Sequence, residues 1–452
     1  MAQPDWLDDK QDIAADERGV RSGHRHKLSL TVRFDDARGG VYQLPACGHA
    51  GIGEFFRFDW LIDWGDGTDE HVRGISSSFG GEVSQGNLVH TYGSDGTYRI
   101  VIRPANSPSK TEGTAPGWLQ AFGYTDKPMY DGTTREKLFP KGVDNLIEVD
   151  GILDDCAINI ELEGACGEMF ADCKNITMGP SFTFDSDKTR AGNFFCYKMF
   201  WSCCGDNFAM GNNFKLPQSL QKVGEAFCCE MFFNCRGSSF TMNDSFTLPQ
   251  FIQEVGTAFC RDMFGEHGPA FTMGAMFNLP QGIVAIGNAF CAEMFQGCGD
   301  ESVFEMNEQF NLPQRISGHV GSGFCRRMFA LNKSDSFTMN DVFNLPQGIT
   351  DADASFCSQM FLGCSGRAFS MNQVFNIPPI LGHVGDDGLM MMFSDCDGSS
   401  FQLNERFSPP DMTGGNHLAY GMFDGCRLEA LNWRVKSLIA SKLALNMWFP
   451  PY

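Results

Sequence analysis

The sequence predicts an α+β fold: an N-terminal β-sandwich followed by a strand-plus-short-helix solenoid of about nine repeats. Three observations lead there. A Met-Phe pair recurs at Met169, Met199, Met231, Met263, Met294, Met328, Met360, Met392 and Met422, at spacings of 30 to 34 residues. Each unit joins a stretch of helical spacing to a stretch of strict alternation, while residues 27–104 read as strands without that period. Self-similarity at a fixed period of this size marks an array whose units bury their apolar faces against their neighbours.

Within one unit, Ile252, Val255, Phe259, Cys260, Met263 and Phe264 fall at intervals of three and four, which predicts one side of a short helix packed inward. The segment FTMNDSFTLP alternates instead. Phe240, Met242, Phe246 and Leu248 share one parity and Thr241 and Thr247 take the other, as in a half-buried strand that Pro249 ends. Between the Met and the next Phe stand only Asn or Gly: Gly211, Asn243, Gly274, Asn307, Asn340, Asn372 and Asn404. Both residue types tolerate a left-handed backbone, so a bulge or tight turn is expected, with a buried asparagine ladder as the alternative.

Cysteine occupies two slots. Cys166, Cys196, Cys228, Cys260, Cys291, Cys325 and Cys357 lie three residues before the Met; Cys173, Cys203, Cys235, Cys298, Cys364, Cys396 and Cys426 lie three after the Phe. On a helix the seven-residue gap is about 10.5 Å of rise, beyond the reach of a disulfide or of one shared zinc ion. Core thiols are the expected role, with inter-unit disulfides as an alternative and no metal or cofactor. His267, in GEHGPA, reads as a loop histidine. The vicinal pairs Cys203/Cys204 and Cys228/Cys229 are each half explained by the repeat.

Before the array, KLSLTVRF, FRFDWLIDWGDGT and LVHTYGSDGTYRIVIRP read as strands. Gly65-Asp66-Gly67 is a hairpin turn, Trp64 and Tyr98 are core aromatics, and Asp63 and Asp66 steady the turn rather than hold calcium. The expected organisation is a disordered or docking arm at 1–26, a sandwich at 27–104, a connector at 105–140, the array at 141–426 and a capping helix at 427–452. That helix carries Leu428, Leu431, Val435, Leu438 and Leu445 on one face.

A net charge of −21 argues against nucleic acid and anionic membrane as partners. No run of about 18 apolar residues exists to insert in a bilayer. The charged start, MAQPDWLDDKQDIAADERGVRSGHRHK, lacks the apolar middle of a secretory signal.

The segments DWGDGT at Asp63–Thr68 and HTYGSDGTY at His90–Tyr98 resemble the paired signatures of polycystic-kidney-disease (PKD) domains, small Ig-like β-sandwiches of extracellular and particle-borne proteins. The elements FC..MF..C, F.MN and F.LPQ.I look like those of BspA-like leucine-rich-repeat surface proteins, in which a PKD-like segment precedes the array. The resemblance spans about residues 27–426, including GWLQAFGY at Gly117–Tyr124, with Phe often standing where the family name leads one to expect Leu. It implies a non-enzymatic adhesin or receptor-contacting module. Without a leader, display on a phage or injection-particle tail, or another virion part, is the expected location, with a bacterial surface as the alternative.

The expected ligand face is the side of the strands opposite the buried Phe and Met. One row holds Thr241, Thr272, Glu305, Thr338 and Ser370, a second Thr247, Asn278, Asn311, Asn344 and Asn376. Rows of hydroxyls and amides suit a cell-surface glycan or a protein receptor; a merely solvated face is the alternative. Two further readings are a structural or decoration component, docked on a particle scaffold through the N-terminal arm, and an accessory region of a glycan-active enzyme. No Gly-x-Ser-x-Gly, His-Glu-x-x-His or phosphate-loop motif supports catalysis.

Overall fold

The computed structural model describes residues 27–35, 39–44, 55–77, 88–104, 115–116, 142–153 and 160–442, except 162, 185–186, 207, 238–239, 269 and 300–302. The arm at 1–26, GWLQAFGY, most of the connector and residues 443–452 lie outside the described residues. The first region contains β1 (Leu28–Phe34), β2 (Gly40–Gln43), β3 (Phe55–Asp63), β4 (Asp69–Ser77), β5 (Val89–Tyr92), β6 (Gly96–Pro104), β7 (Ala115–Pro116) and β8 (Leu146–Gly151). The main sheet runs in the order β4-β3-β6-β1-β8 and on to β9 (Thr177–Met178), with β7 beside β3, and β2 pairs with β5 separately.

The β3–β4 hairpin closes where the sequence places it. Trp64 N–H donates to Thr68 O at 3.0 Å, and Gly65 and Gly67 take φ of 81° and 91°, a region open to glycine. Asp63 Oδ1 accepts from Gly65 N–H at 2.9 Å and Asp66 Oδ1 from Thr68 N–H at 3.0 Å, so both aspartates hold the turn. Trp64 is fully buried, and Tyr98 is partly buried against the same core.

Strand β8 is antiparallel to β1 on one side and parallel to β9 (Thr177–Met178) on the other, so the first sheet runs on into the first coil of the array. Further short strands lie along the array: β10 (Arg190–Ala191), β11 (Lys222–Val223), β12 (Ala270–Thr272), β13 (Val303–Glu305), β14 (Ser317–Val320), β15 (Gly348–Ala352), β16 (His383–Val384) and β17 (Thr413–Gly414). Every strand pair among β10–β17 is parallel, as stacked coils of like sequence require. The array is a β-solenoid of about eight turns.

The short helices do not exist. The Met-Phe segments are rungs of successive turns joined to their neighbours: Glu168, Phe170 and Asp172 N–H donate to Tyr197, Met199 and Trp201 O at 2.7, 2.8 and 2.7 Å. The same bonds recur to the far end, where Met391, Phe393 and Asp395 donate to Tyr420, Met422 and Asp424 at 2.8, 2.9 and 2.7 Å. In each of these bonds the donor belongs to the earlier coil. Left-handed residues are interspersed along each rung, as at Ala258, Cys260, Asp262 and Glu266 with φ of 58°, 53°, 51° and 56°.

That backbone turns side chains inward two at a time and outward two at a time. Phe259 and Cys260 are buried, Met263 and Phe264 are buried, and the pairs between them face out or cover the rung. A repeat of four lies so close to the helical 3.6 that six residues cannot separate them, which is why the spacing reads as a helix. The seven-residue cysteine gap is therefore a distance along a rung of turns, not along a helix.

Inside, the coils are filled by files of phenylalanine. Phe170, Phe200, Phe232, Phe264, Phe295, Phe329, Phe361, Phe393 and Phe423 stack in sequence with ring centroids 5.3 to 5.8 Å apart. A second file runs from Phe182 through Phe246 and Phe310 to Phe407, at 5.5 to 6.4 Å. Parallel strands repeat at about 4.8 Å, so these rings are offset along the stack, the favoured geometry for aromatic pairs.

The Asn/Gly slot is an asparagine ladder, not a left-handed turn. None of its residues has positive φ. Asn372 Nδ2 donates to Asn340 O at 2.6 Å and Phe343 O at 2.9 Å, while its Oδ1 accepts from Val374 and Phe375 N–H at 2.9 and 2.6 Å. Asn307, Asn340 and Asn404 repeat the pattern on their own neighbours. Glycine enters the slot for want of room: a Cβ on Gly274 would stand 2.4 Å from Asn243 O.

At the C-terminal end a 3-10 turn (Leu428–Ala430) leads to α1 (Trp433–Lys442), with Leu431 and Val435 buried on the last coil and Trp433 exposed. No helix among the described residues is long and apolar enough to cross a membrane.

Candidate functional site

The two rows expected to meet a ligand are placed differently by the structure. Thr241, Thr272, Glu305 and Thr338 are exposed and Ser370 half-buried, alternating with the buried Phe and Met as a strand face should. Thr272 and Glu305 sit opposite one another on β12 and β13. This row has hydroxyls and a carboxylate free to turn toward solvent.

In the second row the amides serve the stack. Asn278 Oδ1 accepts from Leu279 N–H at 2.9 Å and from Asn311 N–H of the next coil at 3.0 Å; Asn311 Oδ1 repeats this with Leu312 and Asn344. Asn376 takes the last place, accepting from Ile377 and Ser408 N–H. The glutamine of each LPQ ties the file further: Gln281 Nε2 donates to Leu279 O and to Asn311 O at 3.0 and 3.1 Å, and Gln314 and Gln347 do likewise. Thr247 accepts from Gln250 Nε2 at 3.0 Å. These residues are half-buried, and the oxygens of Asn278, Asn311, Asn344 and Asn376 are already engaged. The signal in the sequence was the Gln three places after Thr247, Asn278, Asn311 and Asn344, a place that Pro379 takes after Asn376.

A site that sequence reasoning missed lies on the outward pairs of the Met-Phe rungs. Asp262 and Glu293, on the fourth and fifth rungs, are both nearly buried, at 8% and 6% exposure, and share one arginine. Arg261 Nε lies 3.4 Å from Asp262 Oδ2 and 3.1 Å from Glu293 Oε2, and Arg326 from the sixth rung bonds to Glu293 Oε1. Burial, then the adjacent Glu293, raises the Asp262 pKa to about 8. Two coils earlier, Lys198 Nζ lies 3.2 Å from Glu230 and 5.3 and 5.4 Å from the Tyr197 and Trp201 rings. The acids stand at the same place in successive units, just before the Met, which is the pattern that could have found them.

The cysteines form two files in the core. All sixteen described cysteines are free, and the fourteen of the repeat are buried except the half-buried Cys426. In the second file the thiols of Cys203, Cys298, Cys364 and Cys396 donate to the carbonyls of Phe170, Phe264, Phe329 and Phe361 of the previous coil, at 2.7 to 3.1 Å. Burial pushes most of these thiols up, away from thiolate chemistry. His267 lies in a stretch without regular secondary structure and fills this file. It is buried, stacked on Phe240 at 4.4 Å, with Nδ1 bonded to Cys235 O at 2.7 Å, and burial lowers its pKa to about 4. Its Nε2, like Asn332 Nδ2 in the same file, has no partner.

No group of three or more His, Cys, Asp or Glu among the described residues is placed to hold a metal ion. A cavity of about 40 Å³ on the first sheet, beside Asp63, Asp69, Glu70 and Arg103, has room for a few waters. Comparison of the chain with known protein families, with curated proteins and with solved structures finds no match in any of the three.

Proposed function

We propose that this protein is a non-enzymatic binding module that contacts a cell-surface glycan or protein receptor, displayed on a phage or injection-particle tail or on a bacterial surface. The observation that carries the reading is the row Thr241, Thr272, Glu305, Thr338 and half-buried Ser370, a file of polar groups held at rung spacing on an apolar core. Repetition of one weak contact along a fixed lattice suits a repetitive ligand, because each added contact is made at high effective concentration. The resemblance of DWGDGT and HTYGSDGTY to PKD domains, and of the units to BspA-like repeats, supports the same class.

The engaged amides of Asn278, Asn311, Asn344 and Asn376 move the expected contacts to the Thr row. Replacing Thr241, Thr272 and Thr338 together by Arg tests this, with attachment to target cells and binding on a glycan array as the readouts. Loss of both with an unchanged melting curve is the expected result; full retention overturns the assignment of this face.

A further inference from the structure

One of the two thiol files ends at a cysteine that solvent reaches. Cys426 is half-buried, whereas every other cysteine of the repeat, Cys396 included, is buried. The two stand in register on adjacent rungs. Phe393 and Phe423, three places before each, stack at 5.8 Å, and Phe393 and Asp395 N–H donate to Met422 and Asp424 O at 2.9 and 2.7 Å. Cys426 Sγ donates to Phe393 O at 2.9 Å, the same oxygen that accepts from Cys396 N–H at 3.2 Å. The Cys426 sulfur thus already lies against the backbone of Cys396. Just beyond, Arg427 Nη2 donates to Gly398 and Ser399 O at 2.8 Å each, which holds the two chain segments side by side. Neighbouring rungs repeat at about 4.8 Å, inside the span of about 4.4 to 6.8 Å between Cα atoms that a disulfide accepts.

We propose that Cys396 and Cys426 are a redox-modification site, at which a small-molecule disulfide oxidant closes a bond between the last two Met-Phe rungs. The Cys426 thiol gives up its proton and its sulfur attacks the oxidant, forming a mixed disulfide and releasing one thiol. Cys396 then attacks Cys426 Sγ, and its proton goes to the second departing sulfur. Two electrons pass from the cysteine pair to the oxidant, whose halves both leave as thiols. Access sets this order. Burial holds the Cys396 thiol protonated and out of reach of the oxidant, so it enters only at the second step, when the closing coil opens locally.

The same register recurs at Cys173–Cys203 and Cys364–Cys396, where the later thiol again reaches the carbonyl that the earlier amide holds. Neither of those pairs has a member open to solvent. The site therefore lies at the one junction where stapling changes most. The first coil runs on into the main sheet through β8 and β9, whereas the closing coil pairs with a like coil on one side only. In a stack held by nearest neighbours, that coil parts from the array most readily, and a bond from Cys396 to Cys426 ties it down.

Treating the folded, fully reduced chain with hydroxyethyl disulfide, an uncharged oxidant, tests the site. Remaining thiols are then alkylated in denaturant and the peptides mapped by mass spectrometry. The expected product is a Cys396–Cys426 cross-linked peptide, two hydrogens lighter than its parts, with the other buried cysteines of the repeat alkylated. In Cys396→Ala, Cys426 is expected to stop at the mixed disulfide. In the oxidised unsubstituted chain, exchange protection of the Leu389, Met391, Phe393 and Asp395 amides, which bond to the closing coil, should rise about tenfold and fall back with dithiothreitol. A mixed disulfide that persists on Cys426 of the unsubstituted chain, a link from Cys396 to Cys364, or protection that oxidation leaves unchanged overturns the proposal.

Discussion

Asn432 donates from Nδ2 to Asn404 O at 2.7 Å while its Oδ1 accepts the N–H of Val435 at 2.9 Å. The ladder that ties coil to coil thus ends as the N-cap of the terminal helix α1, satisfying a first-turn amide that would otherwise lack a partner. Asn432→Ala removes both functions. We expect a loss of about 2 kcal/mol in stability, the sum of a lost cap and of carbonyls left unpaired at Asn404 and Phe407. Urea titration reads the loss, and faster exchange of the α1 amides locates it. An exchange-protected α1 in the variant would show that the helix holds without the cap.

The aromatic files predict a cost of another kind. Phe295 is fully buried and stacks between Phe264 at 5.7 Å and Phe329 at 5.5 Å. Phe295→Ala should destabilise by about 3–5 kcal/mol, since it opens a void that two neighbouring coils share. In an array whose coils touch only their neighbours, the damage stays local. Exchange protection is therefore expected to collapse around Phe264 and Phe329 before it changes around Phe200 or Phe393.

His267 predicts an acid limit. Its pKa in the fold, about 4, lies below the ordinary 6.5, so the unfolded chain binds the proton more readily. The stability this neutral imidazole contributes is complete above about pH 6.5 and is lost as pH falls through about 4. His267→Cys places in the file the thiol that Cys235 and Cys298 already supply on either side. The variant should lose that part of the acid-induced drop in urea midpoint between about pH 6.5 and about pH 4. A drop of unchanged size in the variant would assign the acid sensitivity to other groups.

The interior of the array and the β3–β4 turn were legible from residues alone: the parity of Phe240, Met242, Phe246 and Leu248, the buried thiols, and the hold of Asp63 and Asp66 on the turn all stand where the pattern places them. The helix was not, because the pairs Phe259-Cys260 and Met263-Phe264 recur every four residues, and only the left-handed φ of residues such as Cys260 and Asp262 separates this from a helical turn. No side chain announces that backbone, since Ala, Cys, Asp and Glu all take it here under the constraint of the neighbouring coils. The asparagine ladder was visible as a column of Asn and Gly but ambiguous in role. What decided it was Gly274, which fits by its small size rather than by its backbone freedom. The acid pair escaped because Asp262 and Glu293 are 31 places apart in the sequence and meet only once the coils are stacked.

The common direction of the bonds between Met-Phe rungs has a consequence for how copies of this chain can meet. An ordinary strand shows a stranger both donors and acceptors, and so invites a twin to zip against it. Here the closing coil, from His417 to Gly425, receives bonds from Asp387, Leu389, Met391, Phe393 and Asp395, closes turns with its own Tyr420, Met422 and Asp424 amides, and holds Ala419 and Gly421 in the places that donate onward in the coil before. Two such termini brought face to face set hydrogen against hydrogen. Such polarity sets tail-to-tail pairing of two copies at a disadvantage and has no such effect on head-to-tail pairing.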